Sequence, residues 1–199
     1  MPIEVDEARR LDEIAAATIQ VARERGVRSV TIRAVAARLG GSTAMVTNYV
    51  SSRSALMINA LRRAEEEWAG ELEGELDGLT GEERLRAALR WMCTTERDDE
   101  VLRRLLMEIA SEGPGAGAAV EEVRTATSRR YRDELGALAA EAGLPDPELA
   151  GDVLHLLLRG YWLTTLEDPD RWPDERGARA ALAVVDLLRR PPGAGESAG

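Results

Sequence analysis

Residues 31–56 read TIRAVAARLGGSTAMVTNYVSSRSAL, and the rest of the chain is organised around them. Their first apolar residues recur at the spacing of one amphipathic helical face: Ile32, Val35, Ala36 and Leu39. The Thr31 hydroxyl can cap this helix, Gly40 and Gly41 break it, and Ser42 can cap another. The sequence therefore predicts a helix, a turn and a second short helix, which is the helix-turn-helix motif.

The second helix of this motif has two predicted sides, because each residue turns the helix by about 100°. Val46 and Val50 point inward, with Tyr49 at the edge. The outward residues are small and uncharged: Ala44, Met45, Thr47 and Asn48. Such a surface suits the major groove of DNA, where Asn can bridge an adenine edge and small side chains can touch a thymine methyl group.

The order and spacing of these residues resemble the amino-terminal DNA-binding domain of TetR-family transcriptional regulators. The chain departs from the commonest pattern of that family at three positions: Thr47 stands where Tyr is usual, Val50 where Phe is usual and Arg53 where Lys is usual. Val50 is apolar like the usual Phe, and Arg53 is positively charged like the usual Lys. Only Thr47, in place of Tyr, changes an expected DNA contact. The resemblance is strong over residues 6–60 and weak beyond them.

The resemblance also implies which residues meet DNA. Arg33 is expected to reach a base edge from the first turn of its helix, and Arg53 is expected to meet the backbone. Arg can pair with both acceptors of guanine in the major groove. The predicted DNA-binding residues are Thr31, Arg33, Ser42, Thr43, Ala44, Met45, Thr47, Asn48, Tyr49 and Arg53.

The distribution of charge agrees with this interpretation, although the net charge of −10 at first argues against nucleic acid. Residues 25–64 contain seven Arg and no Asp or Glu. Residues 1–56 hold eight Arg and six acidic residues, a net charge of +2, which leaves −12 for the remainder. Attraction to phosphate is therefore confined to one end of the chain.

Composition excludes several other classes of protein. A hydrophobic content of 44% supports a packed core, and no apolar run approaches the ~20 residues of a membrane span. The start, MPIEVDEARR, lacks the order of a signal peptide, so we expect a cytoplasmic protein without membrane contact. One cysteine, Cys93, and one histidine, His155, leave no disulfide and no zinc cluster. We expect no metal, no cofactor and no catalytic residue.

The helical patterns predict an all-α chain with two domains. Residues 1–51 form a three-helix domain that contains the helix-turn-helix motif, and residues 52–190 form a larger helical domain for ligand binding and dimerisation. Residues 191–199, PPGAGESAG, read as a disordered tail.

The last two predicted helices carry apolar residues on two sides, which exceeds what one small core needs. In proteins that this chain resembles, such a pair forms a four-helix interface between two subunits. The predicted interface residues are Leu156, Leu157, Gly160, Val184 and Leu188. For Gly160, close packing inside one subunit is an equally good explanation.

The resemblance further implies a small-molecule pocket among the middle helices. Aromatic, Met and acidic residues are its candidate lining: Trp68, Trp91, Met92, Met107, Glu108, Tyr131, Tyr161 and Trp162. Glu108 could meet a cationic ligand, while a core role is the alternative for the rest.

The sequence thus predicts a ligand-responsive regulator that binds an inverted-repeat DNA operator as a homodimer. Repression is the usual outcome in the family and is implied by resemblance alone. Two alternatives remain: an all-helical enzyme, and a ligand-binding or scaffolding bundle without DNA binding. The acid-free, Arg-bearing segment argues against both.

Overall fold

A computed structural model describes residues 3–94, 99–111 and 118–189 of the chain. These residues form nine α-helices and one 3₁₀ turn and contain no strand, so the all-α prediction is confirmed. The helices are α1 Ile3–Arg25, α2 Ile32–Arg38, α3 Thr43–Thr47, α4 Arg53–Glu75, α5 Gly81–Met92, α6 Asp99–Ser111, α7 Ala118–Glu141, α8 Pro147–Glu167 and α9 Asp174–Leu188, with the 3₁₀ turn at Val27–Ser29.

The helices divide into two compact units. The head unit contains α1 to α3, α4 as far as Gly70, α6, and α7 as far as Thr125. The body unit contains the remainder of α4 and α7, together with α5, α8 and α9. The first half of α4 is buried in the head core. The boundary between residues 51 and 52 stays a prediction. The predicted tail, 191–199, lies outside the described residues.

The head core joins the helix-turn-helix motif to three longer helices. Ile14 of α1, Val35 of α2, Val46 of α3, Leu56 of α4 and Leu105 of α6 are all fully buried in one cluster. Their burial removes apolar side chains from water at about 1.5 to 3 kcal/mol each. The motif is therefore one wall of a five-helix core and has little stability of its own.

The body core is separate and draws on α5, α7, α8 and α9. Its fully buried members include Leu89, Leu154 and Val185. Cys93 lies in the same cluster, and burial raises the pKa of its thiol to about 12. The thiol is therefore protonated at neutral pH.

Two glycines let α7 and α8 approach closely inside the body unit. A Cβ atom on Gly151 of α8 would lie 2.9 Å from the backbone oxygen of Arg132 and 3.0 Å from the backbone nitrogen of Gly136, both on α7. Backbone atoms of a packed helix cannot move aside as a flexible side chain can. The absence of a side chain at Gly151 therefore sets the spacing of these helices.

We expect Gly151→Ala to lower the free energy of unfolding by roughly 1 to 3 kcal/mol, because the added methyl group overpacks the crossing. Gly74→Ala is the matched control, since Gly74 is also helical but a Cβ there would meet nothing within 4 Å. The control should gain roughly 0.5 to 1 kcal/mol from helix propensity. Urea denaturation measures both, and a stabilised Gly151→Ala would contradict the close crossing.

Candidate nucleic-acid interface

The helix-turn-helix motif is built by local hydrogen bonds at each helix end. The Thr31 hydroxyl accepts from the amide of Ala34 at 3.1 Å, and the Ser42 hydroxyl accepts from the amide of Met45 at 3.3 Å. Between the helices Gly40 adopts a φ of 68°, a backbone conformation that favours glycine. These are the caps and the turn that the sequence indicates, and they fix the start of α3.

The outward side of α3 presents uncharged side chains. Val46 and Val50 are buried, as their spacing predicts, while Tyr49 is 38% exposed at the edge. The exposed residues are Thr43, Ala44, Thr47 and Asn48. Met45 is half-buried instead, because its side chain packs over Gly41, where a Cβ would lie 2.4 Å from the Met45 methyl carbon.

Arg33 and Arg38 lie on the same short helix but have different surroundings. Arg38 donates to the Glu24 carboxylate at 2.6 Å and to the Gln20 side chain at 2.9 Å. Arg33 is exposed on the first turn of α2, and no acceptor in the described parts of the chain holds it. Its guanidinium is therefore available to a partner outside the chain.

The predicted ligand-binding residues are distributed over both units. Trp68, Met107 and Glu108 belong to the head unit, and the other five belong to the body unit. Within the body unit the Trp162 indole donates to the backbone oxygen of Met92 at 3.2 Å and meets the Tyr131 ring edge-on, with centroids 6.4 Å apart. Trp91 is half-buried on α5. These contacts bring Met92, Tyr131 and Trp162 together.

Tyr161, by contrast, has the surroundings of a core residue. Its side chain is only 4% exposed and belongs to the body core. Its hydroxyl donates to the backbone oxygen of Cys93 at 2.8 Å. The core alternative that the sequence leaves open therefore describes Tyr161 best.

The predicted interface residues on α8 and α9 fall into two groups. Leu156 is 71% exposed and Gly160 is exposed, whereas Leu157, Val184 and Leu188 are half-buried against the body core. Three further leucines on these helices are exposed: Leu149, Leu163 and Leu187. On α8 the exposed leucines recur every seven residues, so they share one side of the helix.

His155 lies on α8, where its ring nitrogen Nε2 is 3.3 Å from the Ser128 hydroxyl oxygen. Burial lowers the pKa of His155, and the charges of Arg159 and Arg132 lower it further. The ring is therefore neutral at neutral pH. No group of three His, Cys, Asp or Glu side chains in the described parts of the chain is placed to hold a metal ion.

No family model matches the sequence, and no curated protein matches it. Solved structures do match in fold. A transcriptional regulator from Rhodococcus sp. Rha1 is 22% identical with a TM-score of 0.76 and covers 92% of this chain and 99% of its own. A TetR transcription regulator from Haloarcula marismortui is also 22% identical, with a TM-score of 0.77, and covers 90% and 98%.

The chain has the TetR fold. This similarity in fold covers at least nine-tenths of the chain. A third match, a SmeT–triclosan complex, is 19% identical with a TM-score of 0.66 and covers 92% of this chain and 93% of its own. Within the described residues, no helix of this chain is long and apolar enough to cross a membrane.

In this TetR fold the guanidinium of Arg53 joins three segments of the head unit. It donates through Nε to the backbone oxygen of Val30 at 3.0 Å and through one terminal nitrogen to that of Val27 at 3.1 Å. The same terminal nitrogen lies 3.0 Å from a carboxylate oxygen of Glu108 on α6. Arg53 thus ties the start of α4 to the turn before α2 and to α6.

This ion pair joins residues that the sequence assigns to two different sites. Arg53 is predicted to meet a DNA phosphate, and Glu108 is predicted to meet a cationic ligand. In the structure the cation beside Glu108 is Arg53 itself. The role of Arg53 toward phosphate stays a prediction, and the structure adds an internal role that spacing along the sequence does not reveal.

We expect Arg53→Ala to lower the free energy of unfolding by about 1 to 2 kcal/mol, because two backbone oxygens and a half-buried carboxylate lose their donor. Arg62→Ala is the control on the same helix. Its pair with Glu66 at 3.8 Å is mostly exposed and should matter by less than about 0.5 kcal/mol. If urea denaturation shows that both variants lose the same free energy of unfolding, Arg53 is an ordinary surface residue.

Proposed function

We propose that this chain is a ligand-responsive transcriptional regulator that binds an inverted-repeat DNA operator as a homodimer and represses transcription. The observation that carries the proposal is the exposed, uncharged outer side of α3, which follows directly on the helix with the exposed Arg33. An effector is proposed because similar folds bind small molecules: SmeT with triclosan, and the multidrug binding protein EbrR with imidazole. Such a regulator would act in the cytoplasm.

The proposed interface separates base reading from backbone binding. Asn48 is exposed on α3, where its amide can meet an adenine edge, and Arg33 can meet guanine with two parallel hydrogen bonds. Thr31 and Ser42 use their hydroxyls as helix caps, so they support the interface from within. Because the remainder of the chain carries a net charge of −12, the rest of the molecule repels DNA and favours approach by this end.

The proposal is tested by a gel shift with the DNA upstream of the chain's own gene, at several salt concentrations. A discrete complex that weakens as salt rises is expected, and its footprint should be two-fold symmetric, with half-sites about 34 to 36 Å apart or wider by whole turns. Neither an enzyme nor a scaffolding bundle predicts such a complex. An asymmetric footprint would argue against a symmetric dimer.

Arg33→Ala should weaken operator binding by roughly 1 to 3 kcal/mol and leave binding to random DNA nearly unchanged, because it removes a contact to bases. Arg38→Ala is the control on the same helix, since Arg38 is already held by Glu24. Fluorescence anisotropy with both DNAs measures the difference. If Arg33→Ala weakens both by the same factor, Arg33 does not read bases.

The dimer is proposed to form through α8 and α9. Leu149, Leu156 and Leu163 form an exposed apolar row along α8, and Leu187 is 61% exposed on α9. Large exposed apolar side chains in a row mark interaction surfaces, because each leaves apolar area in water. A second copy of the same row would cover them, as a two-fold interface requires.

Leu156→Glu should convert the dimer to a monomer without unfolding the subunit. The side chain is 71% exposed in one subunit, so only a partner would bury the new charge. Ala137→Glu adds the same charge at an exposed position on α7 and serves as the control. Sedimentation at micromolar concentration measures both, and a Leu156→Glu dimer would place the interface elsewhere.

A further inference from the structure

Arg103 on α6 is a buried cation to which the described side chains supply no counter-ion. Its residue surface is only 9% exposed, and its Nε atom is buried with no hydrogen-bond partner. Of the buried side-chain nitrogens and oxygens that the structure describes, this is the one left without a partner. The next residue, Arg104, is exposed and paired.

The isolated charge is costly because a guanidinium stays protonated at any accessible pH. Burial of a charge without a partner is among the most unfavourable arrangements in a folded protein. Native structures satisfy such groups with a carboxylate, a ligand or ordered water. The buried guanidinium of Arg103, with no partner for its Nε atom among the described residues, is therefore a candidate site for a negatively charged group.

The described carboxylates of the same helix are already engaged. Glu100 accepts from Arg104 at 2.9 Å, and Glu108 pairs with Arg53 at 3.0 Å. Glu108 was the residue expected to recognise a cationic ligand. Because Arg53 pairs with that carboxylate, the unpartnered charge on α6 is the positive charge of Arg103. The expected ligand is therefore an anion instead of a cation.

We infer that Arg103 binds the carboxylate of a small organic acid, and that this acid is the effector of the proposed regulator. This inference rests on the proposed function. A carboxylate matches the planar guanidinium with two parallel hydrogen bonds and brings one negative charge to one positive charge. A phosphate ester carries about −1.5 to −2 and would leave excess charge in a buried site.

The surroundings of Arg103 indicate that the acid has an apolar part. Met107 lies one turn further along α6, within about 40° of Arg103 around the helix axis, and it is half-buried. The thioether of Met adapts to irregular apolar shapes. The ligand class is therefore a monocarboxylate with an apolar chain or ring.

Thermal unfolding with matched probes tests the charge of the ligand. Decanoate and benzoate in the millimolar range should raise the unfolding midpoint, whereas decanol and decyltrimethylammonium should not. Arg103→Gln should weaken binding of the effective acid by roughly 10- to 100-fold, and Arg104→Gln should leave it unchanged. The inference fails if neither acid raises the midpoint, if the neutral or cationic probe is as effective, or if Arg103→Gln has no effect.

A second variant gives a measurement that needs no ligand. Arg103→Met removes the charge and keeps a long apolar side chain, so it should raise the midpoint of the ligand-free protein by about 2 to 4 °C. If a carboxylate of the chain itself already pairs with Arg103, breaking that pair would lower the midpoint instead. A lower midpoint would overturn the inference.

The operator gel shift separates this inference from the proposed function. Wild-type protein and Arg103→Gln should both bind the operator without added acid, and decanoate or benzoate should release only the wild type. Failure of both proteins to bind DNA, with acid binding intact, would refute the regulator and leave the Arg103 site standing. Operator binding without any response to the acids would refute the Arg103 site and leave the regulator standing.

Discussion

A helix of five residues cannot hold its shape in water, and α3 has only five. Forming its first turn costs more conformational entropy than one hydrogen bond returns, so its geometry must come from its surroundings. Val46 anchors it in a core that Leu56 of α4 and Leu105 of α6 also enter. The orientation of the outer side of α3 therefore depends on how the longer helices of the head unit pack. Any shift of α4 or α6 is transmitted to it through fully buried side chains, which leave little free space to absorb movement.

Four arginines of the head unit show how one residue type serves different purposes through its surroundings. Arg33 is exposed and has no acceptor in the described residues, Arg38 is held at the surface by Glu24, and Arg53 ties backbone oxygens to Glu108. Arg103 is buried beside the paired and exposed Arg104. The net charge of a segment describes its long-range attraction to phosphate but does not say which cation is available. That distinction depends on partners that are brought together only by folding.

The sequence predicted what is local and missed what is distant. The caps at Thr31 and Ser42, the Gly40 turn and the inward direction of Val46 follow from neighbouring residues, and the structure contains all of them. The bond from Arg53 to Glu108 joins residues 55 positions apart, and no spacing rule reveals it. Periodicity also shows which residues share a side of a helix without showing which side meets the core. For that reason the burial of Tyr161 and the exposure of Leu149, Leu163 and Leu187 follow only from the fold.

The burial of Cys93 has a practical consequence for studying this molecule. It is the single cysteine of the chain, it is fully buried, and its thiol stays protonated well above neutral pH. Alkylating reagents react with the thiolate and must reach the sulfur atom, so Cys93 of the natural chain should not react with them. A cysteine introduced at an exposed position such as Thr43 or Ala137 would then be the one reactive thiol. Spectroscopic labels could be attached there, one per chain, and the distance between the two labels of the proposed dimer could be followed with the native thiol still in place.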